Sequence, residues 1–227
     1  MRTSMEVAGV AGILAGIGLA MEATFFMTSG WTPTVFHDPA GALSLFHTGG
    51  SQLRAAGFVG VLNLACAIIW LAGLAELHAI RARNLAAAIL LFGIVGTAGH
   101  ALVPLGLWGG IPTFLDASAR HTTEAPAAFL GFAAFLDAAG AVGSLFVGFS
   151  LIAAGAAIVA TRSIHSVIGW IGLLAGVASA LSVLGAGTPL APVAFAVYMP
   201  GLLLAIIFRT LSGFAMRRQT AVTTEPR

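Results

Sequence analysis

The sequence predicts an all-α, polytopic membrane protein: one bundle of six transmembrane helices with both termini in the cytoplasm. Three observations predict it. Of 227 residues, 59% are hydrophobic and 8% charged, with a mean hydropathy of +1.00. A soluble domain has roughly a quarter of its residues charged, so this chain lacks the polar surface to cover itself in water. Six apolar stretches each reach the roughly 20 residues that a helix needs to cross a hydrocarbon core about 30 Å thick. Finally, the arginines lie unevenly about those stretches.

The spans fall at residues 6–28, 53–77, 84–107, 127–160, 165–186 and 190–214. Residues 1–214 are read as a single transmembrane domain and 215–227 as a polar cytoplasmic tail. The first span has two marks of a signal peptide, Arg2 before it and the small pair Gly18 and Ala20 within it. Glu6 in the charged region and the apolar Phe25, Phe26 and Met27 beyond the pair favour a retained helix. Between spans one and two lies SGWTPTVFHDPAGALSLFHTGGSQ (29–52), and between three and four GGIPTFLDASARHTTEAP (109–126). Both are read as long loops, and the other connections, AIRARN, TRSIH and GAGTPL, are short.

Arginine placement gives the orientation. With the N-terminus inside, the inner face holds Arg2, Arg81, Arg83, Arg162, Arg209, Arg217, Arg218 and Arg227, and the outer face only Arg54 and Arg120. That bias follows the positive-inside rule. It makes the bilayer, and a bacterial cytoplasmic membrane in particular, the expected location, with both long loops outside. The arginines form no basic stripe with interleaved aromatics, so no nucleic-acid partner is expected. Cys66 is a lone thiol in an apolar run, without a partner for a disulfide.

Ionisable groups inside the spans are few. Glu22, His100 and Asp137 stand in spans one, three and four, with the amide Asn63 in span two. A charge at mid-membrane costs about 2.5–3.5 kcal/mol on insertion scales, so such groups face the bundle interior or water. The predicted topology puts Glu22, His100 and Asp137 in the outer half. Gly93, Gly96, His100 and Pro104 lie within about 40° of one line on a helix. Asp137, Gly140, Ser144, Gly148 and Gly155 likewise share a face. Small residues mark close helix approach in membranes, so His100 and Asp137 are expected on contact faces, as two halves of a buried pair. Either group can equally be a structural clasp, Glu22 can be merely solvated, and Asn63 can be packing glue. Glu76 and His78 read as a surface charge cluster beside Arg81 and Arg83, and most of Trp31, Trp70, Trp108, Trp170 and Tyr198 as an interfacial aromatic belt.

Recognisable chemistry is sparse. His37, His47 and His121 are weak metal candidates, but no HExxH or paired spacing supports a site, and none is expected. No phosphate-binding glycine loop is present. VGFSLIAAG around Ser150 resembles the serine segment of a rhomboid protease only superficially, with Leu151 in place of a glycine and no histidine in span six. Bis-histidine haem would need a second deep histidine beside His100, and no cofactor can be named. Three functions remain open. One is a protein that binds or transports a proton, cation or small amphipathic ligand in an outer pocket of Glu22, Asn63, His100 and Asp137. Another is an intramembrane enzyme with Asp137 or Glu22 as acid and His100 as base, acting on a lipid or isoprenoid substrate. The third is an accessory or assembly subunit, docking a membrane-protein partner or a second copy through the small-residue stripes at 8–20 and 140–148.

The layout resembles a bacterial six-helix family catalogued as domain of unknown function 4386. The resemblance rests on the opening AGVAGILAGIGLA, an outer loop, RSIHSVIGWIGLLAG at 162–176 and the closing VYMPGLLLAIIFRTLSGF at 197–214. The third span departs from that pattern, with GTAGHALVP and no charged pair. The resemblance implies a six-span bundle and no particular activity.

Overall fold

Six helices long and apolar enough to cross a membrane dominate the computed structural model, which describes residues 2–30, 39–121, 123–185 and 188–222. In order, they are α1 (Arg2–Thr28), a short α2 (Pro39–Thr48), α3 (Gly50–His78), α4 (Arg83–Leu105), a short α5 (Ile111–Arg120), α6 (Ala125–Thr161), α7 (Ser166–Leu181) and α8 (Ala191–Val222). A single π turn, Gly106–Gly110, carries α4 into α5 without a break. No strand occurs among the described residues. Each long helix overlaps one expected span, but the third apolar helical stretch runs on to Arg120 and α8 to Val222, so residues 215–222 are helix and not tail.

Each long helix packs on the next one in sequence: α1 on α3, α3 on α4, α4 on α6, α6 on α7, and α7 on α8. The circle closes because α8 returns to α1. Close approach at the closure comes from glycine. A Cβ built on Gly213 would fall 2.6 Å from the Gly9 carbonyl oxygen, and one on Gly9 2.8 Å from that of Gly213. Gly148 and Gly176 meet in the same way between α6 and α7. Without a hydrophobic drive between helices in lipid, such backbone-to-backbone packing is what holds them together. The contact of Gly9 with Gly213 also places the start of α1 and the last turns of α8 at one end of the ring.

Apolar side chains serve two surfaces. Leu14 and Ile17 on α1, Leu62 on α3, Leu91 and Ile94 on α4, and Leu174 on α7 stay exposed and form a lipid-facing exterior. Inside, one core cluster near the termini includes Trp70, Leu74, Ile89, Ala154 and Phe208. A second, at the opposite end, joins Phe46, Leu53, Leu107, Ile111 and Phe129. There α2 and α5 roof the ring, with Phe129 between Phe46 and Phe114 at centroid distances of 5.3 and 5.7 Å.

Four expectations need correction. Residues 106–120 are helical, because the apolar residues Ile111, Phe114 and Leu115 recur at helical spacing and pack on the second core cluster. Part of the first long connection is likewise the helix α2. His78 is not in a surface cluster: it is fully buried, with Nδ1 3.2 Å from the Thr161 hydroxyl. Trp70 is not interfacial but 1% exposed, in the core. A fifth departure, Arg209, belongs to the site described next. Trp31, His37 and Asp38 lie outside the described residues.

Candidate functional site: a cavity inside the ring

Within the ring lies a partly open cavity of about 370 Å³ between the two core clusters, lined from all six long helices. Trp70, Leu71, Leu151 and Ala205 of the first cluster form its floor, and Phe46 and Leu107 of the second lie at its other end. Most of the wall is apolar, and Glu22, Asn63, His100 and Asp137 all face it. So do Tyr198 and Arg209 from α8.

On the α1–α3–α8 side the polar groups form a chain. Arg209 Nη1 donates to Asn63 Oδ1 at 2.9 Å, and Asn63 Nδ2 donates to Glu22 Oε2 at 3.2 Å. The amide, which has a donor and an acceptor on one planar group, thus stands between cation and carboxylate. Gly60 makes the room: a Cβ there would lie 2.8 Å from Glu22 Oε1 and 2.8 Å from Pro104 Cβ. Gly18 packs against Asn63 in the same way. Asn63 is 4% exposed and Arg209 7%. The Arg209 guanidinium carbon sits 5.8 Å from the Trp70 ring centroid, within cation–π range. Trp70 is fixed in turn by its Nε1–H to Ser212 Oγ at 3.0 Å and by an edge contact with Phe208.

Arg209 was expected among the arginines of the cytoplasmic face. The structure overturns that, because α8 continues to Val222 and leaves Arg209 thirteen residues inside it. Helical Cα–Cβ bonds also tilt toward the N-terminus, which carries its side chain further into the bundle. Without Arg209 the arginines divide seven against two between the two expected faces.

The α4–α6 side is built differently. His100 Nε2 lies 3.3 Å from Ser144 Oγ, and the two helices touch where a Cβ on Gly143 would be 2.6 Å from the His100 backbone nitrogen. Pro104 has no N–H for the His100 carbonyl one turn back. Asp137 lines the cavity but forms no hydrogen bond or ion pair among the described residues. The expected His100–Asp137 pair is therefore not a direct one. A serine hydroxyl beside an imidazole is the relation of a nucleophile to its base, but that chemistry also needs a group orienting the other ring nitrogen, and Asp137 does not fill that place. Ser150 is committed elsewhere, donating to the Ile89 carbonyl at 2.9 Å. His47 and His121 join no group of three metal-ligating side chains among the described residues.

Fold and site together define a multi-pass membrane protein built as a closed six-helix ring around a mostly apolar cavity with polar groups on opposite walls. The chain belongs to the family described as Domain of unknown function (DUF4386), whose model matches residues 7–214. No curated protein and no solved structure matches it.

Proposed function

We propose that the protein binds, and by binding transports or presents, a small amphipathic molecule within the ring. The observation that carries this reading is the cavity itself. It is 370 Å³ in volume, contributed to by every long helix, apolar over most of its wall and polar at a few points. Ligand sites of about 300–1,000 Å³ have that character. The ligand-binding set is Glu22, Asn63, His100 and Asp137, with Tyr198 and Arg209 added from α8. In this reading both termini are cytoplasmic, as the arginine asymmetry favours, and the roofed end of the cavity faces outward. The accessory-subunit reading loses its docking surface, since the stripe at Gly9, Gly12 and Gly16 is covered by α8 and Trp70, and Gly143 and Gly148 by α4 and α7.

The test is native mass spectrometry of the purified protein released from detergent. Wild type should carry a small-molecule adduct, taken up from its membrane or from added dodecanoic acid. Gly140→Phe, which places a ring in the cavity, should lose it. Leu91→Phe on the lipid face should keep it. An adduct of equal abundance in Gly140→Phe, or none in wild type under any loading, would overturn the proposal.

A further inference from the structure

We infer that the ligand's head is an oxyanion, seated on the free edge of Arg209; this rests on the reading that the cavity holds an amphiphile. Asn63 Oδ1 is the hydrogen-bond acceptor of Arg209 among the described residues, and it takes Nη1 alone. Nε is buried with no partner. The Nε and Nη2 hydrogens form the side edge of the guanidinium, two parallel donors that match a carboxylate or phosphate bidentately. That edge is uncommitted on a side chain more than nine-tenths buried that lines the cavity.

The charges favour an anion over a cation. Asn63 separates Glu22 from Arg209, and no ion pair joins the two among the described residues. A carboxyl group in a low-dielectric interior can take up a proton and become neutral. A guanidinium cannot be deprotonated in proteins. The charge in the polar chain that cannot be discharged is therefore positive, with the Asp137 carboxyl on the opposite wall, and a buried N–H without an acceptor is costly until one arrives. Trp70 beneath the guanidinium and Phe208 beside Trp70 hold the site rigid. From there an apolar tail runs past Ala205, Leu202 and Met199 toward Phe46 at the roof. A head at the floor and a tail toward the roof is the orientation the wall dictates.

Four twelve-carbon probes test this on the whole protein by native mass spectrometry at equal free concentration: dodecanoate, dodecyl phosphate, dodecanol and dodecyltrimethylammonium. Dodecanoate should bind wild type at least tenfold more tightly than dodecanol. Arg209→Gln should bring the two acids to within about twofold of the alcohol, and Arg209→Lys should keep part of the preference. Dodecyl phosphate binding like dodecanoate makes the site one for oxyanions in general, and its weaker binding narrows the head to a carboxylate; both support the proposal. Should Arg209→Gln fail to fold, the preference of the wild type alone decides. Dodecanol or the cation binding as well as dodecanoate overturns the proposal but leaves the amphiphile reading in place. Failure of all four to bind removes both.

Discussion

The two walls of the cavity carry similar polar groups and use them in opposite ways. On the α1–α3–α8 wall, Glu22, Asn63 and Arg209 are linked end to end, and glycines at positions 18 and 60 give them space. On the α4–α6 wall, His100 meets one serine hydroxyl, Asp137 meets nothing that hydrogen-bonds among the described residues, and glycine backbones carry the contact. One wall is cross-linked by polarity and the other by close packing. Each wall is therefore vulnerable to a different change. Polar deletion should break the first wall, added bulk the second, and loss of the loosest group should be felt only by a ligand.

The largest effect is expected at Asn63, which serves both charges. Asn63→Leu leaves Arg209 without an acceptor and Glu22 without a donor. Removing one partner of a buried charged network costs about 3–5 kcal/mol in soluble proteins. Unfolding in mixed micelles, followed by loss of the monodisperse species, should show a change of that order; a shift below the cost of one hydrogen bond would mean that the chain is not structural. Asn63→Asp, which offers Arg209 a carboxylate directly, should keep most of the stability.

Next comes Gly143. Its Cβ would meet backbone as well as the imidazole of His100, so neither rotamer change nor side-chain retreat relieves it. Gly143→Val should cost about 1–3 kcal/mol, the usual range for overpacking. Gly140→Ala, one turn earlier, adds a methyl 3.4 Å from Val103 Cγ2, an ordinary contact, and should change little. Equal effects at the two positions would refute the account of this wall. Smaller again is Ser144→Ala, which removes one 3.3 Å contact to His100. Interhelical hydrogen bonds in membranes average about 0.6 kcal/mol, and the same unfolding measurement should register a loss of that size.

These contrasts also explain what the chain's letters disclosed. The six spans were legible, because a bilayer enforces length and hydrophobicity on each of them, whereas their order around a ring was not. His100 and Asp137 were legible as inward-facing through their glycine neighbours, whereas their partners were not, since helical phase gives direction and not the distance to another helix. Arg209 was missed because any arginine near a predicted span end is absorbed by the positive-inside rule. A signal was there: TLSGFAM continues apolar after it, and the doublet Arg217 and Arg218 marks the true end. Arg209 also falls on one face with Ala205, Leu202 and Tyr198 at helical spacing. His78 carries no such local signal, because its burial goes with a contact to Thr161, eighty-three positions away.

The smallest structural effect, and the sharpest functional contrast, belongs to Asp137. Because it bonds to nothing among the described residues, Asp137→Asn removes a charge at nearly constant shape, and stability should stay within about 0.5 kcal/mol of wild type. Ligand binding should respond according to the sign of the ligand. If the occupant is an oxyanion held by Arg209, a carboxylate on the opposite wall repels it, and neutralising that carboxylate should tighten dodecanoate binding by roughly two- to fivefold, a modest Coulombic gain across a partly screened cavity. If the occupant is a cation or a proton, the same substitution removes its counter-charge and binding or flux falls. Adduct formation with dodecanoate and with dodecyltrimethylammonium, compared in the two proteins, separates these cases. The acid must gain and the cation lose for the polar chain of one wall and the loose carboxylate of the other to belong to a single site.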